Sequence, residues 1–174
     1  MSEPRNPGDR PDPTGPGAPP PPLESLYQEI ILSHYRRPRN RGAVEAADAR
    51  VHMNNPTCGD EIVLSLRMEG GRIAAVGFEG QGCSISQASA SMMTVLLQGR
   101  TLEEADTLAA SFRDLVHGRA DAASNRALGD LRALAGVSRY PVRVRCALLA
   151  WNALEEAERR VGGAEPPSES APPS

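Results

Sequence analysis

The sequence predicts an α+β fold, a small antiparallel β-sheet packed by helices, and three observations carry that prediction. Residues Glu61–Met68 alternate apolar and polar side chains, as a half-buried strand does. Gly70-Gly71 follows at once as a tight turn, so Arg72–Glu79 reads as the second arm of a hairpin. Elsewhere between Leu23 and Gly162 the apolar residues recur mostly at helical spacing.

Taken in order, the chain opens on a Pro/Gly-rich tail, residues 1–22, which holds nine of the 16 prolines. Four more prolines fall in residues 166–173, within a second tail, 163–174. Both have too little apolar surface to offset the entropy of ordering and are expected to be disordered, which leaves residues 23–162 as one domain. Leu23–Tyr35 reads as a helix with Leu26, Ile30 and Ile31 on one stripe, closed by Pro38 and Gly42. Val51–Met53 is a candidate third strand. In the first hairpin strand Ile62, Leu64, Leu66 and Met68 share the apolar face, opposite Glu61, Ser65 and Arg67. Gly80-Gln81-Gly82 breaks the second strand and launches a helix that runs to about Gln98 and stops at Gly99. Thr101-Leu-Glu-Glu104 is a capping box for a helix running toward His117. Gly118–Asn125 reads as loop, Leu128–Leu134 as a short helix ended by Gly136. Pro141 stands where a helix N1 proline belongs, and Cys146, Leu149, Ala150, Ala153, Leu154 and Ala157 follow at helical spacing.

Composition excludes several functions. Every basic side chain but the histidines is arginine, and Arg36, Arg37, Arg39 and Arg41 form the one dense basic run. Nucleic-acid binding is not expected, because aromatic side chains that stack on bases are scarce; the run reads as a solvated helix end. No stretch approaches the ~20 apolar residues of a membrane span, and no signal-peptide h-region is present. A cytoplasmic location is expected, where three cysteines, an odd number, do not suit a disulfide framework.

The cysteines fall instead at boundaries between elements. Cys58 lies in Asn54-Asn-Pro-Thr-Cys-Gly-Asp60, Cys83 follows Gly80-Gln-Gly82 at a helix start, and Cys146 falls in the first turns of the last helix. A helix N-terminus favours a thiolate at Cys83, and Asp60, two residues after Cys58, can face the same centre. Three thiolates and a carboxylate suit tetrahedral zinc, and iron–sulfur clusters also take thiolates. Two of the four also have a plainer use, whereas Cys58 and Cys83, in loops rich in Gly and Asn, suit apolar burial poorly. Cys146, on an apolar helix face, could be a small buried hydrophobe, and Asp60 a turn-former. Met53, Met92 and Met93 read as core filling. His34, His52 and His117 leave open a Cys–His nucleophile, which needs a proximity that sequence does not display.

Three segments, Asn55-Pro-Thr-Cys-Gly-Asp60, Phe78-Glu-Gly-Gln-Gly-Cys-Ser-Ile-Ser86 and Pro141-Val-Arg-Val-Arg-Cys-Ala147, resemble the cysteine motifs of the IscU/NifU-N family of iron–sulfur scaffold proteins. Leu26-Tyr-Gln-Glu-Ile-Ile-Leu-Ser-His-Tyr-Arg-Arg-Pro-Arg-Asn40 resembles that family's first helix. Within the family the chain looks like the SufU branch. It has extra sequence between Gly99 and Gly136, and Arg145 stands where IscU proteins place a histidine before the third cysteine. Ser138-Arg-Tyr-Pro-Val-Arg143 replaces their chaperone-recognition motif. The resemblance implies a zinc-dependent sulfurtransferase with Cys58, Asp60, Cys83 and Cys146 as ligands and Cys58 as sulfur acceptor. It further implies a SufS-type cysteine desulfurase as sulfur donor and downstream Suf scaffold proteins as partners, with a [2Fe–2S] scaffold as the alternative. Arg143 or Arg145 would balance the site's charge or meet the partner.

Overall fold

The computed structural model describes residues 23–119 and 121–162. The two expected tails, 1–22 and 163–174, lie outside these residues. Helix α1 (Leu23–Arg36) is followed by strands β1 (Ala49–Asn55), β2 (Asp60–Glu69) and β3 (Arg72–Gln81), then helices α2 (Ser84–Leu97) and α3 (Leu102–Val116). A 3-10 turn at Ala122–Ser124 and a longer 3-10 segment at Arg126–Arg139 lead into the final helix α4 (Pro141–Val161). The α+β reading holds: the strands form one antiparallel sheet in the order β1-β2-β3.

Alternation in β2 places Ile62, Leu64 and Leu66 in the core, against α4, which lies across β1 and β2 and also packs on α2. A register shift between Arg67 and Met68 ends that regularity and leaves Met68 only partly buried. Ser65, expected on the polar face, is buried with its hydroxyl unpartnered. The third strand is real and longer than the sequence suggested. Its pairing with β2 runs from Ala49↔Leu66 to Asn55↔Asp60. The free edge of β3 is covered, because Gly42 N–H donates to Phe78 O at 2.7 Å and Phe78 N–H to Asn40 O at 3.1 Å.

Two helical segments and one strand end differ from expectation. On α1, Leu26 is 39% exposed, and the inward positions are Tyr27, Ile30, Ile31 and His34. His34 is buried between Ser91 Oγ (2.8 Å from Nδ1) and Asp130 Oδ2 (2.8 Å from Nε2). The Asp130 carboxylate accepts, so His34 Nε2–H donates to it, while Nδ1 pairs with Ser91 Oγ, which also accepts the Arg39 N–H. This Ser–His–Asp group is a tie between α1, α2 and the 3-10 segment. Its serine is fully buried, which rules out a nucleophile at the surface. Second, β3 continues through Gln81, so the Gly-Gln-Gly run ends the strand later than expected. Third, the short helix expected at Leu128–Leu134 is a 3-10 run from Arg126 to Arg139, interrupted at Gly129 (φ 52°, ψ −129°). The core centres on Trp151, stacked on Phe112 with ring centroids 5.0 Å apart, its indole N–H donating to Ser89 Oγ.

Candidate metal centre

The β1–β2 connection is built to present Cys58. Asn55 Oδ1 accepts Thr57 N–H at 3.1 Å, and Asn55 O accepts Cys58 N–H at 3.2 Å and Gly59 N–H at 2.9 Å. Gly59 takes φ +72°, a conformation that favours glycine, and returns the chain to β2. Asp60 is the first residue of β2 and shares the inward face with Ile62, so its carboxylate is buried, 1% exposed.

Asp60 Oδ1 accepts the backbone N–H of Cys83 at 2.9 Å, and Oδ2 lies 3.8 Å from Cys83 Sγ. Cys83 is the N-cap of α2 with an extended backbone (φ −71°, ψ 169°), and its side chain makes no capping bond. The sulfur therefore stays at the positive end of the helix dipole with Ser86 Oγ 3.9 Å away. Gly82 makes this approach possible: a Cβ there would stand 2.6 Å from Asp60 Oδ1 and 2.5 Å from Ser86 Oγ.

Cys146 arrives from the second turn of α4, fully buried, and its thiol donates to Cys58 Sγ at 3.3 Å. Burial is the first cause that pushes the Cys146 thiol far above its ordinary pKa, followed by its hydrogen bonds to Asp60 and Cys58, then the charge of Cys83 and a hydrogen bond to it. Arg143, one turn earlier on α4, is exposed and faces the sulfurs. The charge of Cys83, with a hydrogen bond to it, raises the guanidinium's pKa. Arg145, 200° further round the helix at two residues' spacing, is exposed on another face.

Donor atoms of Cys58, Asp60 and Cys146 all lie within 4.8 Å of one another. Cys83 borders this trio on the Asp60 side, outside that mutual distance. No histidine joins the group among the described residues: His34 is held as above, His52 Nε2 pairs with Glu61, and His117 Nδ1 bonds Arg113 O. A Cys–His nucleophile pair is therefore not assembled here. The donor chemistry fits a soft divalent cation. Asp60 is a buried carboxylate with no salt bridge among the described residues, beside two buried or half-buried sulfurs, a grouping that burial disfavours unless a positive ion compensates it.

Sequence reasoning missed two features. Gly82 was legible only as a strand-breaker, since its closeness to Asp60 depends on the β2–β3 register. The distinction between Arg143 and Arg145 follows from helix phase once Cys146 is known to point inward.

Residues 26–157 match the model of the NifU-like N-terminal domain family. The chain belongs to that family. A curated relative, the zinc-dependent sulfurtransferase SufU of Bacillus subtilis, is 43% identical to this NifU-like chain over 81% of it and 95% of the relative. The iron–sulfur cluster assembly scaffold protein IscU of Streptococcus pyogenes is 42% identical over 82% and 89%, respectively. Among solved structures, a candidate SUF-system scaffold protein from Fervidobacterium islandicum superposes with a TM-score of 0.70 at 34% identity, covering 78% of this chain and 98% of that one. An N-terminal NifU-like protein from Brucella abortus shares the fold, with a TM-score of 0.73 at 20% identity. No helix among the described residues is long and apolar enough to cross a membrane.

Proposed function

We propose that this chain is a zinc-dependent sulfurtransferase of SufU type, which accepts persulfide sulfur from a SufS-type cysteine desulfurase for iron–sulfur cluster assembly. One observation carries the reading. Of the sulfurs in the Cys58–Asp60–Cys146 group, Cys146 is fully buried and Cys58 is half-buried in a turn, so within that trio Cys58 is the thiol a partner can reach; Cys83, also half-buried, stands outside it.

Cys58, Asp60, Cys83 and Cys146 would hold the ion. Zinc, when bound, keeps coordinating thiols deprotonated at neutral pH. The remaining work belongs to the chain. Asp60 fixes Cys83 through its backbone N–H, and Arg143 offsets negative charge at the rim. Cys58, carried by a turn rather than a strand or helix, is the donor best placed to leave. Its thiolate attacks the outer sulfur of the desulfurase persulfide. A new S–S bond forms on Cys58, the old one breaks, and the desulfurase cysteine departs as thiolate. A groove of ≈ 620 Å³ beside Cys83, lined by Tyr27, Ile31, Ile85, Tyr140 and Arg143, supports docking of a partner at this end of the molecule.

A second reading, a scaffold for a nascent [2Fe–2S] cluster, is favoured by the relatives named IscU. Metal analysis of the full chain purified without oxygen separates the two, as colourless zinc or as iron and sulfide with visible absorption. Cysteine desulfuration by a SufS-type enzyme, measured with and without this chain, tests the transfer. No stimulation by zinc-loaded chain overturns it.

A further inference from the structure

Metal coordination leaves one relation in the centre unused. The sulfurs of Cys58 and Cys146 lie 3.3 Å apart although 88 positions separate the residues. The ~2.04 Å of a disulfide bond is reached by an approach of little more than ~1 Å. Cys83 is placed otherwise. Its sulfur turns to Asp60 Oδ2 and Ser86 Oγ, at 3.8 and 3.9 Å, and stands outside the trio of mutually close donors.

We propose that Cys146 is a resolving nucleophile. When no metal holds it and Cys58 carries a sulfur adduct, Cys146 attacks Cys58 Sγ, closes a Cys58–Cys146 disulfide and expels the outer group of the adduct. Proximity drives the step: the buried thiol is a poor nucleophile toward solvent, but toward Cys58 the reaction is intramolecular. The balance closes without a further oxidant. In a mixed disulfide on Cys58, Cys146 gives up its proton and forms the new S–S bond, while the outer thiolate leaves with the electron pair of the broken bond. Counting the first attack by Cys58, the two cysteines lose two electrons and the small disulfide is reduced to two thiols. If the adduct is a persulfide, the same step releases hydrogen sulfide, so the carried sulfur is reduced as the pair is oxidised.

The disulfide occupies two of the four proposed ligands and the acceptor, so the oxidised chain neither holds zinc nor takes up sulfur until a dithiol reductant reopens it. That consequence rests on the function proposed above; the resolving step rests on the two sulfurs alone.

The test treats the full chain, in the presence of a chelator, with one equivalent of dithiobis(nitrobenzoate), whose outer group leaves as a coloured thiolate. Two coloured thiolates are expected per reagent consumed. The protein should become lighter by two hydrogens, and unreduced peptide mapping should join Cys58 to Cys146. Cys146→Ser should stop at the adduct with one thiolate released. The wild-type map decides even if a variant fails to fold. A lasting adduct on wild-type Cys58, a disulfide to Cys83, or a bond between chains overturns the proposal. Failure of the desulfurase assay would remove the stated consequence and leave this map unchanged.

Discussion

At the residue scale the centre combines two buried donors, Asp60 and Cys146, with two half-buried ones, Cys58 in a turn and Cys83 at a helix start. Cys58→Ala leaves Asp60, Cys83 and Cys146, three donors with room for water in the fourth position, an arrangement that zinc tolerates. The expected outcome is zinc still bound and sulfur acceptance abolished, read by zinc stoichiometry alongside sulfide release with a SufS-type desulfurase and reductant. Wild-type stimulation by Cys58→Ala would remove Cys58 as acceptor. Cys83→Ala and Cys146→Ala should instead lose zinc. A second residue, far from the centre, makes stability depend on pH. Glu158 of α4 has its pKa raised from 4.5 to about 8, first by burial, then by a hydrogen bond to Asp106 and its charge, then by Glu155. One of its oxygens, Oε1, is buried without a partner. The raised value belongs to the folded state, so the unfolded chain ionises first. Stability is fully present below pH ~4.5, falls as pH rises toward about 8, and is level above that. Because Glu158 is only partly buried, solvent screens part of the effect. Glu158→Gln should therefore melt a few degrees above wild type at pH 8.5, with the gap narrowing toward pH 5.5. An equal gap at both pH values would exclude the carboxyl as its cause.

At the scale of elements, what was legible in the sequence is what local pattern decides. The β2–β3 hairpin, the capping box, with Glu104 N–H donating to Thr101 Oγ1 at 3.2 Å, and the N1 proline of α4 each follow from neighbours in sequence. The misses are tertiary. Leu26 and Tyr27 exchange places because the inward face of α1 is set by the tie of His34 to Ser91 and Asp130, 57 and 96 positions away. The 3-10 segment escaped because its bend at Gly129 is followed by more buried apolar residues, Leu131, Leu134 and Val137, which a periodicity reading merges into a helix. The candidate site was legible as three cysteines and an aspartate at element boundaries; that Cys83 stands apart from the other three was not, because it depends on how α2 leaves β3. That junction supplies its own test. Gly82→Ala sets a Cβ against Asp60 Oδ1 and Ser86 Oγ, and one of them has to give way. Asp60 would lose its hold on the Cys83 N–H, so zinc affinity should fall at least tenfold in competition with a chromophoric chelator, while the far-ultraviolet spectrum stays unchanged. Unaltered affinity would show that Asp60 and α2 are not coupled in this way.

At the scale of the molecule, the centre gathers donors from the β1–β2 hairpin, the start of α2 and the last helix. Cys58 comes from the β1–β2 turn, Asp60 from β2, Cys83 from the start of α2 and Cys146 from α4. The donors span positions 58 to 146, and the unfolded chain holds no preformed site, so binding free energy becomes folding free energy. A ligand present at a thousandfold over its Kd adds ~4 kcal/mol to stability. At about 2–4 °C per kcal/mol, chelation should lower the melting temperature by roughly 10 °C. The hydrophobic core around Trp151 and Phe112 does not include the donors, so the metal-free chain should still unfold in one cooperative transition. A chain shortened to residues 23–162 should behave as the full chain does in both states, because the donors and every described element lie within those limits, and the composition of the ends does not support a packed core. The paired measurement is calorimetry of full and shortened chains with zinc and with chelator. An unchanged melting temperature after complete zinc removal would mean that the four donors contribute nothing to folding. A shortened chain that binds zinc normally but no longer stimulates the desulfurase would instead place a partner contact in one of the proline-rich ends.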